Sequence, residues 1–495
     1  MNRSKQDASR RSIAVGSDFL QLDAGEAPAG GLSDWLAGRL RRAMADGRLP
    51  VGGRLPATRV LAAELGVSRG VVTEAYQRLR EEGHVAGRGR AGTVVVAVPA
   101  TPPRPLGPPR ATAPGELFAA EPMADVFDAL RAAPARIDLS PGLPDLAAFP
   151  RTAWLRAERS VLAGLSAADL GYGDPRGALA LRTAVVHWLA RNRGIRADPG
   201  EVLIVSGTAQ ALGLLAHVLG REGVDEVAVE DPGSLGARQH LGDAGMRTPP
   251  VTVDAEGVRV DELRALGAPV VLLTPAHQFP TGVVLGGRRR RALLDWARDG
   301  GLVVEDDYDA EHRYDRSPVP AVRSVLAERV FYAGSVSKLL APALRVGWLL
   351  APPRYRDALV DAKRFADLGN AVLPQLVLAA LMESGAMERH LRLLRTRHRR
   401  RRDAMVEAIA AHLPGAVAHG AAAGLHLMVT YAAGPADTDL AAAALARGVK
   451  VQPLSWHTQR PGPQGLVMGY AARTPAEIGE GVAVLGGVLR DWTGN

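Results

Sequence analysis

The sequence predicts a multidomain protein: a small, mostly helical unit near the N-terminus, then a larger α/β unit with a mostly parallel central sheet and a smaller C-terminal subdomain. Three observations carry this. The 495 residues suffice for about three packing units at roughly 150 residues each. A proline-rich stretch, VPATPPRPLGPPRATAPG at 98–115, denies the backbone its donors and favours extended polyproline geometry, separating the small unit from the large one. Beyond Ile137, short β-rich runs alternate with segments of helical period, as parallel strands joined by crossover helices require.

Taken in order, residues 1–30 mix Ser, Gly, Ala and charge without periodicity and read as a flexible arm. Residues 31–97 hold helical patterns at 32–45, about 56–65 and 68–82. A Gly/Arg-rich hairpin, 88–92 running into 93–96, closes that unit. Residues 98–136 are assigned to the linker and 137–495 to the large unit. Its strands are expected at 202–205, 227–229, 270–273, 302–304 and 330–332, and a long basic helix around 387–411 precedes the last subdomain.

Composition narrows the function. With 23% charged and 47% hydrophobic residues the chain buries a core. The lack of cysteine excludes disulfide frameworks, thiolate zinc sites and cysteine nucleophiles, and no metal site is expected. The polar N-terminus has no apolar segment behind it, and no apolar run reaches the ~18 residues that span a bilayer, so a cytoplasmic protein without membrane contact is expected. Lysine occurs only at Lys5, Lys338, Lys363 and Lys450, against 56 arginines. Coding bias explains the excess. It also singles out each lysine, because some chemistry needs an amine and cannot use a permanently charged guanidinium.

In the small unit, Leu61, Leu65 and Val67 are placed to pack inward, Gly66 permits a turn, and Ser68 is an N-cap for a helix opening with Arg69. A packed helix, a Gly turn and a helix headed by a hydroxyl and a guanidinium is major-groove geometry. Residues 31–98 carry eleven arginines, no lysine and six acids, the footprint expected against a polyanion. Gly47-Arg48-Leu49, Gly53-Arg54-Leu55-Pro56-Ala57-Thr58-Arg59, Val67-Ser68-Arg69, Ala75-Tyr76, Leu79 and Gly83 together resemble the winged helix-turn-helix of GntR-type regulators. That resemblance implies that Arg54, Thr58, Arg59, Ser68 and Arg69 contact double-stranded operator DNA, with the wing around Gly92 beside the minor groove.

In the large unit, Gly334-Ser335-Val336-Ser337-Lys338 follows an expected strand, and Arg345 lies seven positions on. An amine on a flexible stem forms a Schiff base with an aldehyde, small neighbours admit a phosphate, and an arginine grips it bidentately; these are the parts that hold pyridoxal phosphate. Glu305-Asp306-Asp307-Tyr308-Asp309 ends another apolar strand, where a carboxylate keeps a pyridine nitrogen protonated. Ser206-Gly207-Thr208-Ala209-Gln210 marks a strand-to-helix change suited to phosphate.

These segments resemble fold-type I aminotransferases. With Tyr172-Gly173-Asp174-Pro175-Arg176-Gly177 and Thr274-Pro275-Ala276-His277-Gln278-Phe279-Pro280-Thr281-Gly282, the chain looks like the MocR subfamily of GntR regulators, which fuses a winged helix to a pyridoxal-phosphate-dependent aminotransferase-like domain. The resemblance implies Lys338 as the Schiff-base lysine, Asp306 as partner of the pyridine nitrogen and Tyr308 beside the ring hydroxyl. It implies Ser206, Gly207, Thr208, Ser335, Ser337 and Arg345 as a phosphate cup. Tyr172 matches a tyrosine that reaches the phosphate of the neighbouring subunit, implying a homodimer. Either His277 or Gln278 stands where an asparagine flanks the ring hydroxyl.

Two positions depart from the pattern. Ser234 replaces the aromatic that stacks on the ring, and Gly465 occupies a place where aminotransferases carry an arginine for the substrate carboxylate, with Arg460 and Arg473 as nearby substitutes. The run from Arg395 to Arg402 is a solvated helix face or a second DNA contact. The expected function is a transcriptional regulator responding to pyridoxal phosphate or its adduct with an amino acid or amine. The alternatives are an α-amino-acid aminotransferase with an appended DNA-binding module, and a DNA-binding regulator with a cofactor-free dimerisation scaffold.

Overall fold

The computed structural model describes residues 22–28, 31–89, 92–97, 114–119, 121–314, 319–432 and 434–493. Most of the expected arm, the linker up to residue 113 and the hairpin tip at Arg90 and Ala91 lie outside the described residues. The chain divides into two compact units, Met1–Ala111 and Thr112–Asn495.

The first unit contains α1 (Leu32–Ala45), α2 (Thr58–Leu65), α3 (Arg69–Glu81) and an antiparallel hairpin of β1 (Val85–Gly87) and β2 (Thr93–Val95). Leu36, Leu40, Leu61, Val72 and Leu79 meet in its core. Gly66 ends α2 with φ 63°, a left-handed conformation that costs side-chain-bearing residues energy, which is why the turn into α3 falls there. Ser68 caps α3 by accepting from the Val71 N–H at 3.5 Å. Tyr76 donates to the Pro56 carbonyl at 2.9 Å and ties α3 to the entry of α2.

The second unit begins inside the stretch assigned to the linker. Two short helices, α4 (Pro114–Leu117) and α5 (Val126–Ala132), occupy part of 98–136, so its second half is structured. Leu117, Phe118, Val126 and Leu130 are buried in a core with Trp456, and Phe118 stacks on Trp456 at 5.3 Å. Once the proline run ends, these apolar side chains gain more by burial than by extension.

Next come β3 (Ile137–Asp138), α6 (Arg151–Gly164) and α7 (Leu179–Arg193). The central sheet then forms from β4 (Val202–Val205), β5 (Ala228–Asp231), β6 (Pro250–Asp254), β7 (Gly257–Val258), β8 (Val270–Leu273), β9 (Leu302–Asp307), β10 (Val330–Ser335) and β11 (Gly347–Leu350). Their spatial order is β4-β11-β10-β9-β8-β5-β6-β7. From β10 to β6 every neighbouring pair is parallel; β11 runs against both its neighbours, and β7 against β6.

Helices cover both faces: α8 (Thr208–Arg221), α9 (Leu235–Asp243), α10 (Val260–Leu266), α11 (Gly287–Arg298), α12 (Arg356–Asp367) and α13 (Val372–Glu383). β4, β8 and the first half of β9 are therefore apolar on both faces rather than alternating, and the polar residues of β5 and β9 fall at the strands' carboxyl ends. Along β4, Leu203 and Val205 join a core with Leu215 and Leu359, while Val202 and Ile204 join another with Trp188 and Leu378.

The C-terminal subdomain consists of α14 (Ala386–His412), β12 (Val417–His419), β13 (His426–Thr430), α15 (Asp437–Ala446), β14 (Val449–Lys450), β15 (Gln452–Pro453), β16 (Gly465–Gly469) and α16 (Pro475–Thr493). Its antiparallel sheet has the order β12-β13-β16-β15. β14 pairs with β3, Val449 beside Ile137, and straps the start of the large unit onto its end. The basic run on α14 is only partly a solvated face. Arg395 donates to the Glu311 carbonyl at 3.0 Å, and Arg397 and Arg401 reach the buried Asp145 carboxylate at 2.6 and 2.8 Å, leaving Arg399 and Arg400 exposed. Among the described residues, no helix is long and apolar enough to cross a membrane.

Candidate functional site

Parallel strands deliver their carboxyl ends to one edge, and the loops and helix N-termini beyond them collect there. β4 gives way to Ser206, Gly207 and α8; β9 ends at Asp306 and Asp307 before Tyr308; β10 ends at Ser335 before Ser337 and Lys338; Arg345 immediately precedes the final approach to β11. Gly207 has φ 97°, and a Cβ on it would lie 3.6 Å from Arg345 Nη1 and 3.9 Å from Ser337 Oγ. A guanidinium, a hydroxyl and the N-terminus of α8 thus share one small space, a cradle shaped for an anion. Arg345 forms no ion pair among the described residues. Asn370, which sequence reasoning passed over, donates to Ser206 Oγ at 2.8 Å and to the Arg345 carbonyl at 3.3 Å. Behind the cradle the Ser206 N–H donates to Gln210, Gln210 donates to Asp367 at 2.7 Å, and Asp367 pairs with the fully buried Lys363 at 2.5 Å.

Asp306 accepts from the Thr208 hydroxyl at 3.2 Å. Loss of water pushes its carboxyl up to about 7, and the Thr208 bond opposes the shift; an ionised carboxylate there wants a cationic partner. Lys338 Nζ donates to the Gly142 carbonyl at 2.5 Å. Burial lowers the lysine's pKa against the pull of Asp309 and Asp306, favouring the neutral amine that attacks an aldehyde. Gly142 is a second residue the sequence reading missed.

His277 Nδ1 lies 2.9 Å from Asp309 Oδ2 and 3.0 Å from the Tyr308 hydroxyl, which also donates to the His277 carbonyl at 3.1 Å. Gln278 is engaged in its own loop: Nε2 donates to the Pro232 and Phe279 carbonyls, and Oε1 accepts from the Thr281 N–H and hydroxyl. Of the two alternatives, His277 is the one whose side chain meets Tyr308. Phe279 extends this wall, with ring centroids 4.9 Å from His426 and 5.0 Å from His457.

Ser234 serves as the cap of α9, accepting from the Ala237 N–H at 3.2 Å. At Gly465 a Cβ would meet the Val429 carbonyl at 2.6 Å, so no side chain fits there. Arg460 is held by Glu262, Thr252 and the Pro250 carbonyl, and Arg473 by the Asp138 carbonyl and Glu477. Neither substitutes for the missing arginine in this arrangement. Tyr172 is 93% exposed and contributes nothing to the cradle of its own chain.

In the first unit, Arg54, Arg59, Ser68 and Arg69 are exposed and Thr58 is half-buried. Arg69 Nε donates to Thr58 Oγ1 at 3.3 Å, joining residues of two helices. A Cβ on Gly92 would lie 2.9 Å from Arg54 Nε, so this arginine rests over the wing. Several acids of the unit pair elsewhere: Glu82 with Arg41, Asp46 with Arg48, and Asp34 and Glu74 with Arg78. Arg59 and Arg69 have no carboxylate partner among the described residues, and the positive surplus concentrates on that face.

Residues 32–95 match the bacterial regulatory proteins of the gntR family, and residues 135–485 the class I and II aminotransferases. Over 90% of its length the chain is 33% identical to the probable rhizopine catabolism regulatory protein MocR of Rhizobium meliloti, covering 91% of it. The chain belongs to the MocR-type transcriptional regulators. Another relative, the pyridoxine biosynthesis regulator PdxR of Corynebacterium glutamicum, is 30% identical over 88% of this chain and 91% of its own. The crystal structure of LysN, the α-aminoadipate aminotransferase of Thermus thermophilus complexed with N-(5'-phosphopyridoxyl)-L-leucine, superposes with a TM-score of 0.67 at 29% identity, over 74% of this chain and 94% of that one. This MocR-type regulator therefore joins a DNA-binding GntR head to an aminotransferase domain of fold type I, a class that uses pyridoxal phosphate.

Proposed function

We propose that this regulator binds pyridoxal phosphate at Lys338 and operator DNA through its head, and that the cofactor or its adduct with an amino acid or amine sets DNA affinity. One observation carries the reading: Lys338, Asp306, Thr208, Gly207, Ser337 and Arg345, from four separate segments, converge at one sheet edge with the polarity of the cofactor. The Arg345 guanidinium, which forms no ion pair among the described residues, and the Gly207 cradle suit the phosphate; the Asp306 carboxyl suits a protonated ring nitrogen. When bound, the cofactor supplies an aldehyde that exchanges the lysine amine for that of an effector. Lys338 offers the amine, Thr208 holds Asp306 in place, and Asn370 fixes the cradle loop. That LysN was crystallised with a phosphopyridoxyl amino acid supports the same use of this fold here.

The occupied Arg460 and Arg473 and the closed Gly465 position favour regulation over transamination of ordinary α-amino acids. A homodimer is supported by exposed apolar side chains, Leu155, Leu162, Leu170, Tyr172, Leu179 and Phe365, a surface that is costly to leave wet. The turn after α12 adjoins the loop that follows Tyr172, since a Cβ on Gly369 would lie 3.5 Å from Pro175 Cα.

Borohydride reduction of protein loaded with pyridoxal phosphate, followed by peptide mass mapping, tests the assignment. A phosphopyridoxyl group on Lys338, absent from Lys338→Ala, is expected; label spread over other amines, or no uptake, contradicts it.

A further inference from the structure

We infer that the effector exchanging with Lys338 is a primary amine that bears an apolar substituent and no carboxylate on its amine-bearing carbon; the inference rests on the cofactor reading above. Lys338 Nζ donates to the Gly142 carbonyl, and the residues just before Gly142 lie against the C-terminal sheet. A Cβ on Gly469 would fall 2.4 Å from the Ser140 carbonyl oxygen and 3.1 Å from Pro141 Cα. Gly469 of β16 pairs with His426 of β13, and two residues along Val467 pairs with Met428. Opposed residues, and those two apart, share one face of a sheet, so Met428 and Val467 continue the face that meets the Gly142 segment. They are buried with Leu454, and Phe279 packs against this cluster. Phe279 is the partly exposed member; its ring lies 4.9 Å from His426 and stands edge-on to Tyr308 at 6.2 Å. The wall on this side of the site is therefore an aromatic ring backed by hydrocarbon.

The charges that act on the amine are of one sign, the carboxylates of Asp309 and Asp306. The imidazoles of the wall supply no cation: burial lowers the pKa of His426 well below its usual value and that of His457 to about 3. The neighbouring arginines are engaged. Arg238 donates to the Trp456 carbonyl at 2.7 Å, Arg397 and Arg401 close on Asp145, and Arg313 is occupied as well; Arg345 lies in the phosphate cradle. A carboxylate on the amine-bearing carbon would stand near Asp306 and Asp309 with no guanidinium to meet it, an unpaired charge in a dry site. A hydrocarbon in the same place packs on Phe279 and leaves water. Refusal of the acid and gain from the hydrocarbon act in the same direction. In the exchange the incoming amine nitrogen bonds to the carbon that the Lys338 nitrogen leaves, and its two hydrogens pass to the lysine, so no oxidant or reductant is consumed.

The test uses the full chain loaded with pyridoxal phosphate and three ligands of one skeleton: phenethylamine, L-phenylalanine and L-phenylalaninamide. Borohydride trapping and peptide mass mapping read the fraction of label left on Lys338 at each concentration. Free pyridoxal phosphate with the same ligands gives reference half-points that remove differences in amine basicity. Against that reference, phenethylamine should empty Lys338 at a concentration about tenfold or more below that of L-phenylalanine. The amide, as large as the acid but without its charge, should follow the amine. Phe279→Arg puts a guanidinium on the wall at a partly exposed position and should erase or reverse the preference. Equal half-points for amine and acid, an amide refused like the acid, or label that stays on Lys338 with all three ligands overturns the inference, as does an unmoved ratio in a folded Phe279→Arg. The wild-type comparison decides even where that variant fails to fold. Wild-type protein that takes up no cofactor overturns the cofactor reading itself, and the inference with it.

Discussion

Thr208 and Asp306, 98 residues apart in sequence, meet at 3.2 Å, the hydroxyl of one donating to the carboxylate of the other. The bond spans from the first turn of α8 to the end of β9, so the anion cradle and the acid of the candidate site are held at a fixed spacing. A ring with a phosphate at one end and a basic nitrogen at the other is matched by such a spacing.

Asp306→Ala should therefore weaken retention of pyridoxal phosphate at least tenfold, since it removes the charged partner of the ring nitrogen. Thr208→Val should cost only about fivefold, the worth of one hydrogen bond. Equilibrium dialysis of the two variants checks the order.

The cofactor-free protein should reveal the same acid through its stability. The Asp306 carboxyl is raised from 3.8 to about 7, so between those values the folded state keeps a proton that the unfolded chain has lost. Its contribution is favourable at low pH and is lost as the pH climbs toward 7. Asp306→Asn cannot ionise. Its thermal midpoint should match wild type at about pH 4 and exceed it by roughly several degrees at about pH 8, as differential scanning calorimetry across that range would show.

On the head, Arg69→Ala should weaken binding to a selected duplex by about 1–3 kcal/mol, tenfold or more, because Arg69 opens the recognition helix and is braced by Thr58. Arg59→Ala should weaken all duplexes alike and reduce the salt dependence by about one counterion. Fluorescence anisotropy at several salt concentrations separates the two.

Lys363→Met should destabilise the large unit by about 2 kcal/mol, because it strands Asp367, which is partly wet and so less costly than a fully buried charge. It should also loosen the cradle through Gln210. Denaturant melts and cofactor titration on one variant measure both effects.

Much of this was legible in the sequence because it rests on local signals. The apolar runs at 202–205, 270–273 and 302–304 are strands because burial on both faces leaves no room for polar alternation. Gly66 through its left-handed backbone and Ser68 through its capping hydroxyl fix the head's turn locally. What escaped depends on contacts distant in sequence. Asn370 and Gly142 reach the site from 164 and 196 residues away and carry no motif of their own. The helices at Pro114–Leu117 and Val126–Ala132 were masked by the adjacent prolines, although Leu117 and Phe118 were visible apolar anchors. The lysine count signalled more than its neighbours revealed: Lys363 and Lys450 are both buried against acids, Asp367 and Asp138.

The central claim, that the cofactor site governs the DNA-binding head, is tested most directly by measuring affinity for duplexes that the protein selects from a random pool. The measurement is made with and without pyridoxal phosphate, on wild type and Lys338→Ala. Wild-type affinity should change at least fivefold on adding the cofactor, alone or with an amine, while Lys338→Ala stays constant. Equal affinities in wild type under every condition would contradict the account.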